Sequence, residues 1–251
     1  MIKKEPLLRI QDLSHKFSNG TVAVDSVDLE IYRSEFLIIS GPNGSGKSVL
    51  MKHLNGLLTP SSGQIFLEDN DLFQDIGNSR QQIGLVFQDA DSQIIGQTVE
   101  KDTAFGPENL RLKREEINRR VEKALKDVEL LEKRKHRPHL LSGGEKRRLA
   151  IAGILAMDSK ILIFDEPFSN LDYQGVKNVL SQIVELHRIG HTIIVITHDL
   201  GKVLAHGERL VIMNNGRIIH RGKPEDLLCQ LENCGIRRPE GDCVESMTWL
   251  K

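Results

Sequence analysis

An α/β fold with a largely parallel central sheet is predicted by two patterns in this sequence. Four uninterrupted apolar runs of strand length, at residues 36–39, 83–87, 161–164 and 193–196, read as strands buried on both faces. Helical stretches separate them, the order expected of a parallel sheet. Ahead of them the chain alternates instead. Residues 7–10, 21–24 and 27–31 read as half-buried strands of a small antiparallel sheet at the domain edge, with Asn19-Gly20 as a hairpin turn.

Between the second and third buried runs there is no strand signal for about seventy residues, too long an interval for a structureless loop. Ile117, Val121, Ala124, Leu125, Val128 and Leu131 recur there at helical spacing. Residues 89–157 are therefore expected to form a helical subdomain inserted into the core. Its basic helix carries Glu115, Glu116, Glu122, Asp127, Glu129 and Glu132 among the lysines and arginines, which is the pattern of a solvated face. Residues 209–213 and 217–220, joined by Asn214-Asn215-Gly216, read as a closing hairpin that completes one unit over residues 1–222. Residues 223–251, opening on Pro224-Glu225-Asp226, are expected as a short C-terminal helical tail. Cys229, Cys234 and Cys243 lie in it without the paired spacing of a metal site and read as free thiols.

Composition narrows the function. The 251 residues suffice for one large domain. Lys and Arg total 34 against 35 Asp and Glu, a net charge of −1, so no whole-chain charge favours a nucleic acid or an anionic membrane. The apolar runs fall well short of the roughly twenty residues of a membrane-spanning helix. The opening Met1-Ile2-Lys3-Lys4-Glu5-Pro6 has no signal-peptide core. Three cysteines near one end cannot staple the body, which points to a reduced cytosolic compartment.

The site-forming motifs sit where the strands end. Gly41, Pro42, Asn43, Gly44, Ser45, Gly46, Lys47 and Ser48 fit G-x-x-x-x-G-K-[ST]. They follow the run at 36–39 and precede a helical stretch, the context in which this loop cradles phosphates. Glycines let backbone N–H groups turn inward, the helix N-terminus favours negative charge, Lys47 supplies a cation for the β/γ-phosphates, and the Ser48 hydroxyl can ligate Mg²⁺. The strand at 161–164 ends in Asp165-Glu166. Asp165 is placed to hold Mg²⁺, and Glu166 to polarise a water for in-line attack on a γ-phosphate. His198 follows the strand at 193–196 in the same way and could stabilise developing charge. Leu141-Ser142-Gly143-Gly144-Glu145 opens a further helix with small residues, a second N-terminus suited to phosphate. It could serve the nucleotide of a second chain, or be an ordinary capped helix start.

Together these motifs resemble the ATP-binding subunit of an ATP-binding cassette (ABC) transporter over residues 7–222. The resemblance implies a P-loop NTPase core, with residues 41–48 as the Walker A loop, residues 161–165 as Walker B, and Glu166 as the catalytic glutamate. It also implies that Leu141 to Glu145 form the signature motif, that Ser169-Asn170-Leu171-Asp172 form the D-loop, and that His198 is the switch histidine. Gln88 matches the Q-loop glutamine that senses metal and γ-phosphate, and Phe17 falls where the family stacks an aromatic, usually tyrosine, on adenine. Phe87-Gln88-Asp89-Ala90-Asp91-Ser92-Gln93 and residues 99–110 resemble the energy-coupling-factor branch, with Asp89-Ala90 where that branch usually has Asn-Pro. That branch imports vitamins and transition metals such as cobalt and nickel.

The expected cofactors are ATP and Mg²⁺, the metal held by Ser48, Gln88 and Asp165. The expected assembly pairs two cassettes, identical or paralogous, so that Ser142, Gly143, Gly144 and Asp172 of one contact the nucleotide of the other. A transmembrane coupling protein and a substrate-capturing membrane protein complete it, at the cytoplasmic face of the membrane. The alternative is a soluble ATPase of the same family acting on nucleic acid or another non-transport partner. A single cassette without a long heptad run speaks against it.

Overall fold

The computed structural model describes residues 5–241 and 243–250, so the reading of residues 1–4 lies outside the described residues. In chain order, β1 (Pro6–Lys16) and β2 (Val22–Tyr32) form an antiparallel pair. Next, β3 (Phe36–Ser40) leads through the glycine-rich loop into α1 (Lys47–Leu54). The chain then makes β4 (Ser62–Leu67), β5 (Asn70–Asp71), α2 (Ile76–Gln82) and β6 (Ile83–Val86). Helices α3 (Val99–Asn109), α4 (Arg114–Asp127) and α5 (Gly143–Ala156) follow with no strand between them. After these come β7 (Ile161–Asp165), α6 (Tyr173–Arg188), β8 (Thr192–Ile196), β9 (Arg209–Asn214), β10 (Arg217–Gly222) and α7 (Pro224–Leu227).

The body is a six-stranded sheet in the order β10-β9-β3-β8-β7-β6, parallel except for the edge strand β10. The four apolar runs of the sequence are its β3, β6, β7 and β8. Successive residues of these strands alternate between two apolar layers. Phe36, Ile38, Val86, Leu162, Phe164, Ile193 and Val195 join the apolar layer that includes α5 and α6. Leu37, Ile39, Leu85, Ile163, Ile194 and Ile196 face α1 and the second sheet. Cover on both faces explains why these strands read as continuous rather than alternating runs.

The second sheet is antiparallel, in the order β2-β1-β4-β5. Residues 21–24 and 27–31 belong to one strand rather than two. β2 passes through Ser26 at φ 48°, where the Ser26 N–H leaves the ladder and donates to Ser14 Oγ at 2.9 Å. β4 carries little sequence signal because Ser62, Gly63 and Gln64 are exposed and only Ile65 and Leu67 are buried. Both expected turns form. The Gly20 N–H donates to Phe17 O at 2.9 Å, and Asn215 and Gly216 adopt φ 48° and 78°, a two-residue primed turn.

The C-terminal tail departs from the helical expectation. Beyond the one-turn α7 its described residues make only 3₁₀ turns, at Leu228–Gln230, Glu232–Cys234 and Val244–Ser246. Gly235 at φ 74°, Pro239 and Gly241 interrupt any longer helix. Burial holds the tail in place. Leu231, Cys234, Ile236, Val244 and Met247 join the core, and the Trp249 ring lies 5.4 Å from that of Tyr173 at the start of α6. Cys229, Cys234 and Cys243 are free thiols, the second of them buried. Among the described residues no helix is long and apolar enough to cross a membrane.

Candidate active site

Neighbouring strands shape the loop between β3 and α1. A Cβ on Gly46, at φ 100°, would run into the Ala23 carbonyl of β2, and one on Gly41 into the Met213 carbonyl of β9. Glycine is thus needed for close approach of backbone as well as for the turn. The tip of the closing hairpin clamps the loop: the Gly216 N–H donates to Ser45 O at 3.1 Å, while Gly216 O accepts from the Asp25 N–H at 2.9 Å. Asn43, Gly44 and Ser48 stay exposed along the loop.

Lys47 opens α1 but folds back over the loop. Its Nζ donates to Gly41 O at 2.7 Å, Pro42 O at 2.9 Å and Ser45 Oγ at 3.3 Å. Burial lowers its pKa, opposed by the negative charges of Glu166 and Asp165. The loop carbonyls hold this ammonium where phosphate oxygens could exchange for them.

Asp165 ends β7 opposite Ile196, the last residue of β8, so the residues that follow each strand meet. The Asp165 carboxylate accepts no hydrogen bond among the described residues. Burial, then the charge of Glu166, raises its pKa, and Lys47 opposes them. An unpartnered hard oxygen donor fits a Mg²⁺ ion, as does the exposed Ser48 hydroxyl.

Glu166 adopts φ 45°, a left-handed conformation costing a non-glycine residue about 1–2 kcal/mol. Its N–H donates to Ile196 O at 2.8 Å. The same turn brings its carboxylate to three donors: the His198 N–H at 2.9 Å, His198 Nδ1 at 2.6 Å and Thr197 Oγ1 at 2.9 Å. With Nδ1 as donor, the Nε2 edge of His198 can donate to a ligand only as imidazolium. Sequence reading missed Thr197, although it directly precedes the histidine at the same strand end.

The remaining predicted residues lie around this centre. Phe17 is 40% exposed just past β1 and packs edge-on against His15, leaving ring surface for stacking. Gln88 is exposed two residues past β6, and its side chain makes no hydrogen bond among the described residues. Ser142 and Glu145 form a full capping box on α5, with Ser142 N to Glu145 Oε2 at 2.9 Å and Glu145 N to Ser142 Oγ at 3.3 Å. Asp172 caps α6 by accepting the Gly175 N–H at 2.7 Å. Gly143 and Gly144 sit against Leu171 and Gly175. Among the described residues no hydrogen bond or ion pair joins residues 142–145 to residues 41–48.

A buried arginine completes the surroundings. Arg147 of α5, 3% exposed, donates through Nη1 to Phe87 O at 2.5 Å and through Nη2 to Gln88 O at 2.6 Å. Sequence reading missed it, although a signal was present: Arg147 lies on the stripe of Ala150, Ile151 and Ile154, an ionised group among apolar neighbours at helical spacing.

A parallel sheet with a glycine loop at one strand end and an acid pair and histidine at the next two defines a P-loop ATPase of the cassette type. Residues 24–169 match the ABC transporter family, and the chain belongs to it. The energy-coupling factor transporter ATP-binding protein EcfA1 of Clostridium novyi (strain NT) is 43% identical over 246 residues, covering 94% of this chain and 88% of that protein. The structure of cbiO1 from Clostridium perfringens, described as part of the ABC transporter complex cbiONQ, superposes with a TM-score of 0.84. It is 37% identical and covers 92% of this chain and 93% of that one. The ATP-binding cassette MJ0796, solved as a dimer in a post-hydrolysis state with ADP and Pi, superposes with a TM-score of 0.76 at 28% identity, over 86% of this chain and 98% of that one.

Proposed function

We propose that this ABC-family ATPase powers import of a small substrate, a transition metal ion or a vitamin, through separate membrane subunits of an energy-coupling-factor type transporter. The observation that carries the chemistry is the meeting of Lys47, Asp165, Glu166 and His198 at the carboxyl edge of one sheet, where α/β proteins bind ligands. ATP phosphates take the place of the Gly41 and Pro42 carbonyls as acceptors for Lys47. Ser48 and Asp165, with Gln88, would hold Mg²⁺, which would supply positive charge to offset that of the phosphates. Glu166 orients the attacking water and takes its proton, which requires release of at least one of its three present donors. His198, freed from Glu166, turns its donor to the γ-phosphate.

Ser142 to Gly144 and Asp172 complete the pocket of a second cassette; among the described residues no hydrogen bond or ion pair ties residues 142–145 to residues 41–48 of the same chain. Closure of such a pair moves the helical subdomain and the membrane helices docked on it, and hydrolysis reopens it. The similarity to cbiO1 and EcfA1 supports the membrane partners, and the chain works at the cytoplasmic face as a peripheral subunit. Purification of the tagged chain from native membranes in mild detergent tests this reading. A polytopic coupling protein, a small membrane protein and a second cassette are expected with it. Recovery of the chain alone from the soluble fraction would overturn the transport assignment.

A further inference from the structure

The first two turns of α5 grip two other segments, the loop after β6 and the stretch after α4, through four consecutive residues. Glu145 pairs with Lys133, Lys146 with Asp91 at 2.6 Å, and Arg148 with Glu129 at 3.0 Å. Arg147, the buried one, has no carboxylate partner among the described residues. It spends its guanidinium on the carbonyls of Phe87 and Gln88, and its Nε is buried without a partner. A buried arginine without a counter-ion is a costly way to satisfy two carbonyls. Burial lowers its pKa, and the charges that favour its ionised form are Asp89, next to Gln88, and Asp165, at the end of β7. Its hydrogen bonds hold the backbone of the loop after β6, and the acid of the site acts on its charge.

The contacts around it are stiff. α5 packs on β6 so closely that a Cβ on Gly84 would stand 2.8 Å from Ile154 Cβ. The loop after β6 is tied back on itself by Gln93, whose side chain accepts from the Phe87 N–H at 3.1 Å and donates to Leu85 O at 3.0 Å. Ser142 lies five residues before Arg147, about 7.5 Å along a helix. A displacement of the Gln88 backbone thus has a short path to the α5 N-terminus.

We propose that Arg147 is a positioning residue that ties Gln88 to the N-terminus of α5, so that the loop after β6 and the Ser142–Gly144 face move as one body during the ATPase cycle. This rests on the reading that Gln88 serves the nucleotide site. Arg147 touches neither nucleotide nor water in this scheme and acts through the backbone it holds. Lys146 and Asp91 reinforce the tie from the solvent side, where an exposed pair contributes less.

The test is steady-state ATPase of Arg147→Gln, Arg147→Met, Gln88→Ala and the Arg147→Met/Gln88→Ala double variant, with thermal melting to count folded protein. Arg147→Met is expected to lower kcat at least tenfold with KM for ATP within threefold. Arg147→Gln, which keeps one donor, should recover part of the loss. The double variant should be no slower than the worse single variant. A role confined to stability would lower the melting temperature but leave kcat per folded molecule unchanged, and that result overturns the proposal. So does full additivity of the two single losses. Should Arg147→Met fail to fold, Arg147→Gln decides by the same criteria. Gln88→Ala with wild-type turnover would instead sink the underlying reading of Gln88, a result distinguishable from failure of the Arg147 tie.

Discussion

Replacing Lys47 by methionine keeps the length of the side chain and removes its ammonium. In the nucleotide-free protein that ammonium bonds to Gly41 O, Pro42 O and Ser45 Oγ, with little exposure to water. Methionine leaves the carbonyls without that donor, but it also removes a charge whose burial already lowers the lysine pKa. The two changes oppose each other, so stability is expected to move by no more than about 1–2 kcal/mol. Binding exchanges the Gly41 and Pro42 carbonyls for phosphate oxygens, so the loss is the part by which the phosphate bonds are stronger. Two hydrogen bonds from a charged donor to phosphate oxygens, at about 1.5–3 kcal/mol each, set its upper bound at about 3–6 kcal/mol. That bound corresponds to a weakening of ATP affinity by about 10²–10⁴-fold. Calorimetric titration with ATP, beside a thermal melt of the same sample, measures both quantities. A Kd within threefold of wild type would refute the loop assignment. A melt lowered by as much as the binding loss would show that the lysine is structural.

Two further outcomes follow from the same region. His53 on α1 is fully buried, its Nδ1 donates to Leu58 O at 2.8 Å, and burial depresses its pKa from 6.5 to about 4. The unfolded chain therefore takes up the proton first. The stability of the neutral form is fully present above pH 6.5 and is lost as pH falls from 6.5 to about 4, by about 3 kcal/mol in all. His53→Gln should flatten the stability difference between pH 7 and pH 4.5 in urea unfolding, and an unchanged slope would exclude His53 as its source. In the loop, Gly46→Ala meets both a positive φ and the Ala23 carbonyl, whereas Gly44→Ala, at φ 78°, meets open space. The first should destabilise by several kcal/mol and abolish tight ATP binding, the second by about 1 kcal/mol. Melting and titration showing the two equal, or reversed, would contradict the packing described for the loop.

Where the physics is local, the sequence reveals it. The strands β3, β6, β7 and β8 announce themselves because two-sided burial demands unbroken apolar runs. The glycine loop, the acid pair and the histidine are recognisable because strand ends fix where their side chains meet. β4 stays hidden because half of it faces solvent and its longer pairing is with β1, far away in sequence. The bulge at Ser26 depends on the Ser14 hydroxyl of another strand, which no window of residues around Ser26 contains. Glycines and a proline set the backbone of the tail, and its apolar residues find burial without a helix. Arg147 and the three donors on Glu166 depend on contacts between distant segments, and only the structure brings those together.

The central claim is that residues 41–48 of one cassette and Ser142 to Gly144 of another enclose the same nucleotide. Light scattering on the Glu166→Gln variant, with and without Mg-ATP, tests it most directly, because blocked hydrolysis should hold the closed pair. The account predicts that the mass doubles with Mg-ATP and returns to that of one chain when Ser142→Arg is added to the same variant. A single-chain mass under all conditions, or a dimer indifferent to Ser142→Arg, would contradict it.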